Sequence, residues 1–220
     1  MSIKTDVELE RDVLAELRWE PSVSEKGIGV KVKDGVVTLR GTVPSFAEKH
    51  GVLMAAERVK GVRAVAQELE IALPKENERT DQLLAQGAAL AIEWNTFVPR
   101  GGVTVVVEKG WVTLNGTVDH EWQRGEAARS LRNLVGLRGI TNLIALKPRV
   151  PTVQTVKGEI EDALKRHAEV DASHISVQVA GQKVTLRGSV PSWPERREAE
   201  RAAWSAPGVV DVEDLITVTG

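Results

Sequence analysis

Val37-Thr38-Leu39-Arg40-Gly41 recurs as Val112-Thr113-Leu114-Asn115-Gly116 and again as Val184-Thr185-Leu186-Arg187-Gly188, at spacings of 75 and 72 residues. A second glycine stands 20 positions after each motif glycine, at Gly61, Gly136 and Gly208. The residues after that glycine also match: Val62-Arg63-Ala64-Val65, Leu137-Arg138-Gly139-Ile140 and Val209-Val210-Asp211-Val212, each leading into a closing alternation. A repeating period of this kind marks tandem units. Length alone places 220 residues in one or two domains, whereas the period divides them into three, at 1–72, 78–147 and 152–220.

Each repeat reads as helix, hairpin, helix, strand. An apolar stripe opens it: Leu9, Val13, Leu14 and Leu17 in the first, Leu83, Leu84, Ala88 and Ala91 in the second, Val156, Ile160, Ala163 and Leu164 in the third. Ile28, Val30 and Val32 then alternate into Lys33-Asp34-Gly35, a turn sequence suited to positive φ. Glu108-Lys109-Gly110 and Ala180-Gly181-Gln182 hold the same place. Ser45 with Glu48 and Ser192 with Glu195 form capping boxes for a second helix, and Asp119 is the expected cap in the middle repeat. That helix is lined by small residues such as Ala55, Ala56, Ala127, Ala199, Ala202 and Ala203, and the late glycine ends it. The expected fold class is α+β: three tandem αββαβ domains, each a three-stranded mixed sheet with two helices on one face. The connectors 72–80 and 147–152 are short and polar or proline-bearing, as expected of linkers between small domains.

Composition removes several function classes. With 29 Lys and Arg against 31 Asp and Glu, the net charge is −2, and residues 1–72, 78–147 and 148–220 carry −1, +1 and −2, so no basic field exists to hold nucleic acid. There is no cysteine, hence no thiolate nucleophile and no cysteine-based metal site. No Gly-Lys dipeptide is present for a phosphate loop, and Gly27-Ile28-Gly29 lacks the third glycine of a dinucleotide turn. His120-Glu121 is followed by Arg124 where a zinc-protease helix needs a second histidine. His50, His167 and His174 lie apart, and His167 is read as a helix-end residue favoured by the dipole. No catalytic residue, metal site or cofactor is expected. The charged opening MSIKTDVELERDVLAELRW offers no apolar signal core, and no stretch is apolar enough to span a bilayer. The expected location is therefore the cytoplasm, with peripheral contact at the inner membrane.

The pattern V-x-V-x-D-G-x-V-T-L-x-G-x-V, followed by a helix and a G-V-x-x-V close, resembles the BON domain. Val30, Val32, Asp34, Gly35, Val37, Thr38, Leu39, Gly41, Val43, Gly61, Val62 and Val65 carry it in the first repeat, with counterparts in the other two. Gln67 departs from the Asn142 and Asp214 of the later repeats. The resemblance implies binding and not catalysis: BON domains are proposed to bind phospholipid membranes, and they occur in envelope, osmotic-stress and transport-associated proteins.

Each second helix begins with an aromatic and carries cations a turn later: Phe46 with Lys49, Trp122 with Arg124, Trp193 with Arg196 and Arg197. An aromatic beside cations suits the headgroup layer of anionic phospholipid, and three tethered copies would add avidity. Trp204 stands where the other repeats have Glu57 and Arg132, which makes it the expected exposed aromatic and interaction surface. Trp19 and Trp94 occupy one register near the end of the first helix and are expected in the core. Two further readings are a protein-interaction scaffold that assembles with a partner or as a homo-oligomer, and a potassium-like cation sensor using backbone carbonyls between repeats.

Overall fold

The computed structural model describes residues 4–147, 153–166 and 172–219. Six helices and nine strands lie within them: α1 Asp6–Trp19, β1 Ile28–Lys33, β2 Val36–Val43, α2 Phe46–Arg58, β3 Ala64–Ile71, α3 Asp81–Trp94, β4 Val103–Glu108, β5 Trp111–Val118, α4 Glu121–Leu131, β6 Gly139–Leu146, α5 Val153–Arg166, β7 Ile175–Ala180, β8 Lys183–Val190, α6 Trp193–Ser205 and β9 Asp211–Val218. The order αββαβ repeats three times, with sheets β1-β2-β3, β4-β5-β6 and β7-β8-β9. Each is the three-stranded mixed sheet expected. The hairpins are antiparallel, and β6 and β9 run parallel to β5 and β8.

Alternation along the strands explains how each sheet feeds one core. In the middle repeat Val112, Leu114, Val118 and Ile144 point to the helices, where they cluster with Leu84, Ala88, Ile92, Ala127 and Leu131. The third repeat uses Val184, Leu186, Val190 and Ile216 with Val156, Ile160, Leu164, Ala199, Ala202 and Ala203. Buried Val37, Leu39 and Val43 hold those places in the first. The hairpin turns take the expected form, Asp34 and Gly35 at φ 51° and 75°, Lys109 and Gly110 at 51° and 79°. Past each second helix the chain bonds back to its hairpin turn: Arg63 N–H to Gly35, Arg138 N–H to Gly110 and Val210 N–H to Gln182.

One expected cap moves. In the middle repeat the N-cap is His120, one residue after Asp119, because Gln123 reaches back so that its side-chain oxygen accepts from the backbone N–H of both Asp119 and His120, at 3.0 Å each. Asp119 instead pairs with Lys147 at 3.4 Å. His167 and the connector from 148 to 152 lie outside the described residues.

The contacts group the chain into two compact units. One comprises Met1–Gly41, Gly51–Glu68 and Pro148–Gly220, the other Thr42–His50 and Leu69–Lys147. Within the first, the guanidinium of Arg197 on α6 reaches α2, pairing with Glu57 at 2.9 Å and donating to the sulfur of Met54 at 2.8 Å. Within the second, Phe46 packs against the core of the middle repeat. Among the described residues no helix is long and apolar enough to cross a membrane.

Candidate functional site

The three aromatic and basic pairs at the second-helix starts do not form three equivalent surfaces. Lys49, Arg124 and Arg196 share one register and tie the helix into its repeat. Lys49 Nζ donates to the Leu69 carbonyl at 2.7 Å. Arg124 pairs with Glu121 at 2.6 Å, and its backbone carbonyl accepts from Asn142 Nδ2 at 2.9 Å. Arg196 bonds Asp214 at 2.7 Å and lies 5.1 Å from the centre of the Trp193 ring. Asn142 and Asp214 also accept from the N–H two residues on, from Ile144 and Ile216. One side chain in the third strand therefore fixes both its own strand and the helix that precedes it.

The aromatics separate in the same way. Trp193 packs on the third core, and its Nε1 is buried with no hydrogen-bond partner among the described residues. Phe46 is covered by the middle repeat. Trp122 alone stays open, 53% exposed, with Phe97 edge-on at 5.8 Å and His120 stacked at 6.1 Å. Trp204, expected at the surface, packs half-buried against the third core with Nε1 3.4 Å from Glu200.

Trp19 and Trp94 reverse the expectation made for them. They are 82% and 80% exposed. The buried stripe runs Leu9, Val13, Leu17 in α1 and Leu84, Ala88, Ile92 in α3, and each tryptophan comes two residues after the last of these. Two residues turn a helix by about 200°, which aims the indole away from the sheet. Beside Trp94 lies a 510 Å³ recess lined by Asn95, Thr96, Val98 and Arg100, and a 670 Å³ groove runs between α3 and β4 past Ala89, Ile92, Val103 and Arg100. Solvent-facing aromatics thus concentrate on the middle repeat: Trp94, Phe97, Trp111 and Trp122.

The two helix positions that share the register of Trp204 are also desolvated. Burial holds the Glu57 carboxyl above the ordinary carboxylate range despite the opposing charges of Arg197 and Arg196, and burial lowers the Arg132 guanidinium. A raised folded-state pKa gives stability that is complete below the unfolded pKa and disappears as pH rises through the folded one. At neutral pH the ionised Glu57 therefore sits at a cost that its ion pair does not recover. Glu57→Gln is expected to be at least as stable as the parent at pH 7, the difference closing as pH falls through the carboxylate range. Denaturant midpoints over a pH series check this, and a clearly lower midpoint for the variant at pH 7 would count against it.

Among the described residues no three His, Asp or Glu side chains converge to hold a metal ion. The pattern of the BON domain matches the chain three times, at residues 5–72, 80–148 and 152–220. Osmotically-inducible protein Y of Escherichia coli strain K12 is 28% identical over 139 residues, 61% of this chain and 69% of that protein. Among solved structures, CdsD, a structural protein of the type III secretion system of Chlamydia trachomatis, aligns over 96% of this chain and 92% of its own at 15% identity with a TM-score of 0.28. The CdsD C-terminal domain aligns over 99% and 100% at 15% identity with a TM-score of 0.27. With the pattern matched over nearly the whole length and repeated in fold, register and helix-to-strand tether, this chain belongs to the BON-domain family.

Proposed function

We propose that this chain is a non-enzymatic binding protein of three BON domains, bounded near 1–72, 78–147 and 152–220, that associates weakly and multivalently with phospholipid membrane surfaces. Its similarity to an osmotically inducible protein supports a stress-linked role. The observation that carries the reading is the exposure of Trp19 and Trp94 at one helical register in two successive repeats. An indole is an interfacial anchor, apolar over its rings and polar at one edge. Moving about 100 Å² of its surface into lipid contributes roughly 2.5 kcal/mol at ~25 cal/mol/Å². Lys49, Arg124, Arg196 and Arg197 are occupied within the fold, so attraction to anionic headgroups adds to aromatic insertion without dominating it.

Co-sedimentation with anionic phosphatidylglycerol-containing vesicles tests this. The full chain is expected to bind at low salt, to weaken only modestly at moderate salt, and to show a blue-shifted tryptophan emission when bound. Trp19→Ser with Trp94→Ser should reduce binding at least about tenfold while leaving the melting temperature within a few degrees, both side chains being exposed. Absence of vesicle binding at low salt would refute the proposal.

A further inference from the structure

The groove between α3 and β4 runs along a sheet edge. β4 is the first strand in the order β4-β5-β6, so one of its sides has no neighbouring strand among the described residues. The ladder on its other side fixes what that free side carries. Thr117 N–H donates to the Gly102 carbonyl at 2.9 Å, and in an antiparallel ladder such bonded pairs alternate with unbonded ones. In the register Val103↔Gly116, Val105↔Leu114, Val107↔Val112, the bonded pairs are therefore those of Thr104, Val106 and Glu108, and the backbone N–H and C=O of Val103, Val105 and Val107 point outward. The groove is lined both by Val103 and Val105, whose side chains pack toward the core, and by Thr104, which lies on the opposite face, so it opens at the edge itself.

The three repeats differ at this place. α3 lines the groove with Ala85 and Ala89. The same registers hold Glu10 and Leu14 in α1, and Lys157 and Glu161 in α5, the last two joined at 3.6 Å. Long side chains thus stand in the first and third repeats where the second has methyl groups. The strands differ too. Sheets commonly blunt a free edge with lysine and other charges. β1 has Lys31 and Lys33 after Gly29, and β7 has Ser176 and Gln178, whereas β4 reads Val-Thr-Val-Val-Val before Glu108, with Val106 at the register of Lys31. An unblunted β-branched edge beside a 670 Å³ groove has the form of a strand-addition site.

We infer that this edge binds an extended peptide segment of another protein as a fourth strand, antiparallel to β4. The outward N–H and C=O groups form a row of alternating partial charge at the strand repeat. Its charge complement is another extended backbone, which an acyl chain cannot supply. Antiparallel pairing is the stronger per residue. Peptide residues opposite Val103, Val105 and Val107 then turn their side chains to the helix side, into the groove against Ala85, Ala89 and Ile92, so they are β-branched or small and apolar. The residues between them lie beside Thr104 and Val106 on the outer face and are polar. Glu93 and Arg100 also line the groove. Being of opposite sign, they select no net charge in the peptide, and backbone pairing with alternation carries the recognition. The contact covers about five residues, or roughly 17 Å.

NMR of the full chain titrated with the capped peptide acetyl-KVTVSVE-amide tests the inference. The amide signals of Val103, Val105 and Val107 should shift saturably. With a dissociation constant on the order of 0.1 mM, about 1 mM peptide should slow their solvent exchange about tenfold. N-methylation of the peptide's valines, whose N–H groups meet β4, should weaken binding at least about tenfold, whereas N-methylation of its threonine and serine, whose N–H groups point away, should not. Ala85→Glu with Ala89→Leu, the first repeat's residues at these registers, should also weaken it at least about tenfold. Val105→Pro, which deletes one outward donor and no ladder bond, is the second variant should the first fail to fold. Absence of saturable shifts at these valines overturns the inference, as does a valine-methylated peptide that binds as well as the unmodified one, or a folded variant that binds as well as the parent. So does slowed exchange at the three valines that rises with protein concentration in the absence of peptide, which would assign the edge to a second copy of this chain. Trp19 and Trp94 are untouched, so this result and that of the vesicle experiment are independent.

Discussion

Replacing Gly116 with alanine is expected to unfold the middle repeat. Gly116 has φ 134°, and a β-carbon there would lie 2.1 Å from the carbonyl oxygen of Gly102 and 3.0 Å from both the Gly102 carbonyl carbon and Val103 Cα. All three are backbone atoms, and none can swing aside. The blocking carbonyl is itself engaged, accepting from the Thr117 N–H at 2.9 Å, so retreat would break the ladder at the start of the hairpin. Gly41 and Gly188 repeat the arrangement, each 1.9 Å from a carbonyl, of Gly27 and of His174. Since the opposing residue in the third repeat is a histidine, the glycine is required only on the second strand. Disallowed backbone together with an unavoidable overlap should remove at least about 3–5 kcal/mol. A domain of ~70 residues has roughly 3.5–10 kcal/mol in total. Peptide-resolved hydrogen exchange on the full chain should show strands β4 to β6 losing protection in Gly116→Ala while β7 to β9 keep theirs. Unchanged protection in the middle repeat would refute the argument.

That glycine is readable because it recurs: three copies of one motif in one chain act as their own comparison. The same device misleads for Trp19 and Trp94. Shared register suggests shared burial, but register fixes only equivalence, and the 200° step from Leu17 or Ile92 decides which way the ring points. The signal is present in the stripe itself. For Lys49, Arg124 and Arg196 the missing knowledge is tertiary. Cations one turn into a helix look solvated until the third strand brings Asp214 against the Arg196 guanidinium and Asn142 against the backbone carbonyl of Arg124, although the constant offset of 18 residues is a trace of that tether. The packing of Phe46 on the middle core, and of α2 against α6 through Arg197, leaves no comparable mark. Contacts between repeats depend on how the repeats dock, which periodicity within one repeat does not encode.

A second large effect is expected at Asp81, whose role periodicity and capping patterns do not reveal. It is the first residue of α3, and its carboxylate accepts from the backbone N–H of Lys109 at 2.7 Å and of Gly110 at 2.8 Å, across the tip of the following hairpin. Asp6 does the same for Asp34 and Gly35, at 2.8 and 3.0 Å. In both turns the first central residue is not glycine yet sits at φ 51°, a conformation that costs about 1–2 kcal/mol. The third repeat has Val153 at the aspartate register, and there Gly181 takes the first turn position at φ 62°. Carboxylate latch and non-glycine turn thus go together, and a glycine-led turn accompanies the loss of the latch. Asp81→Ala removes two charge-assisted acceptors in a partly exposed setting, for an expected loss of about 2–3 kcal/mol. Asp81→Asn should lose about half as much, since an amide keeps one acceptor while its NH₂ opposes a donor. Adding Lys109→Gly to Asp81→Ala should recover about 1 kcal/mol by relieving the left-handed residue that the latch had held in place. Urea midpoints of the four proteins measure each step. Should the double variant be no more stable than Asp81→Ala, turn and latch are independent, and the carboxylate serves only the first turn of its own helix.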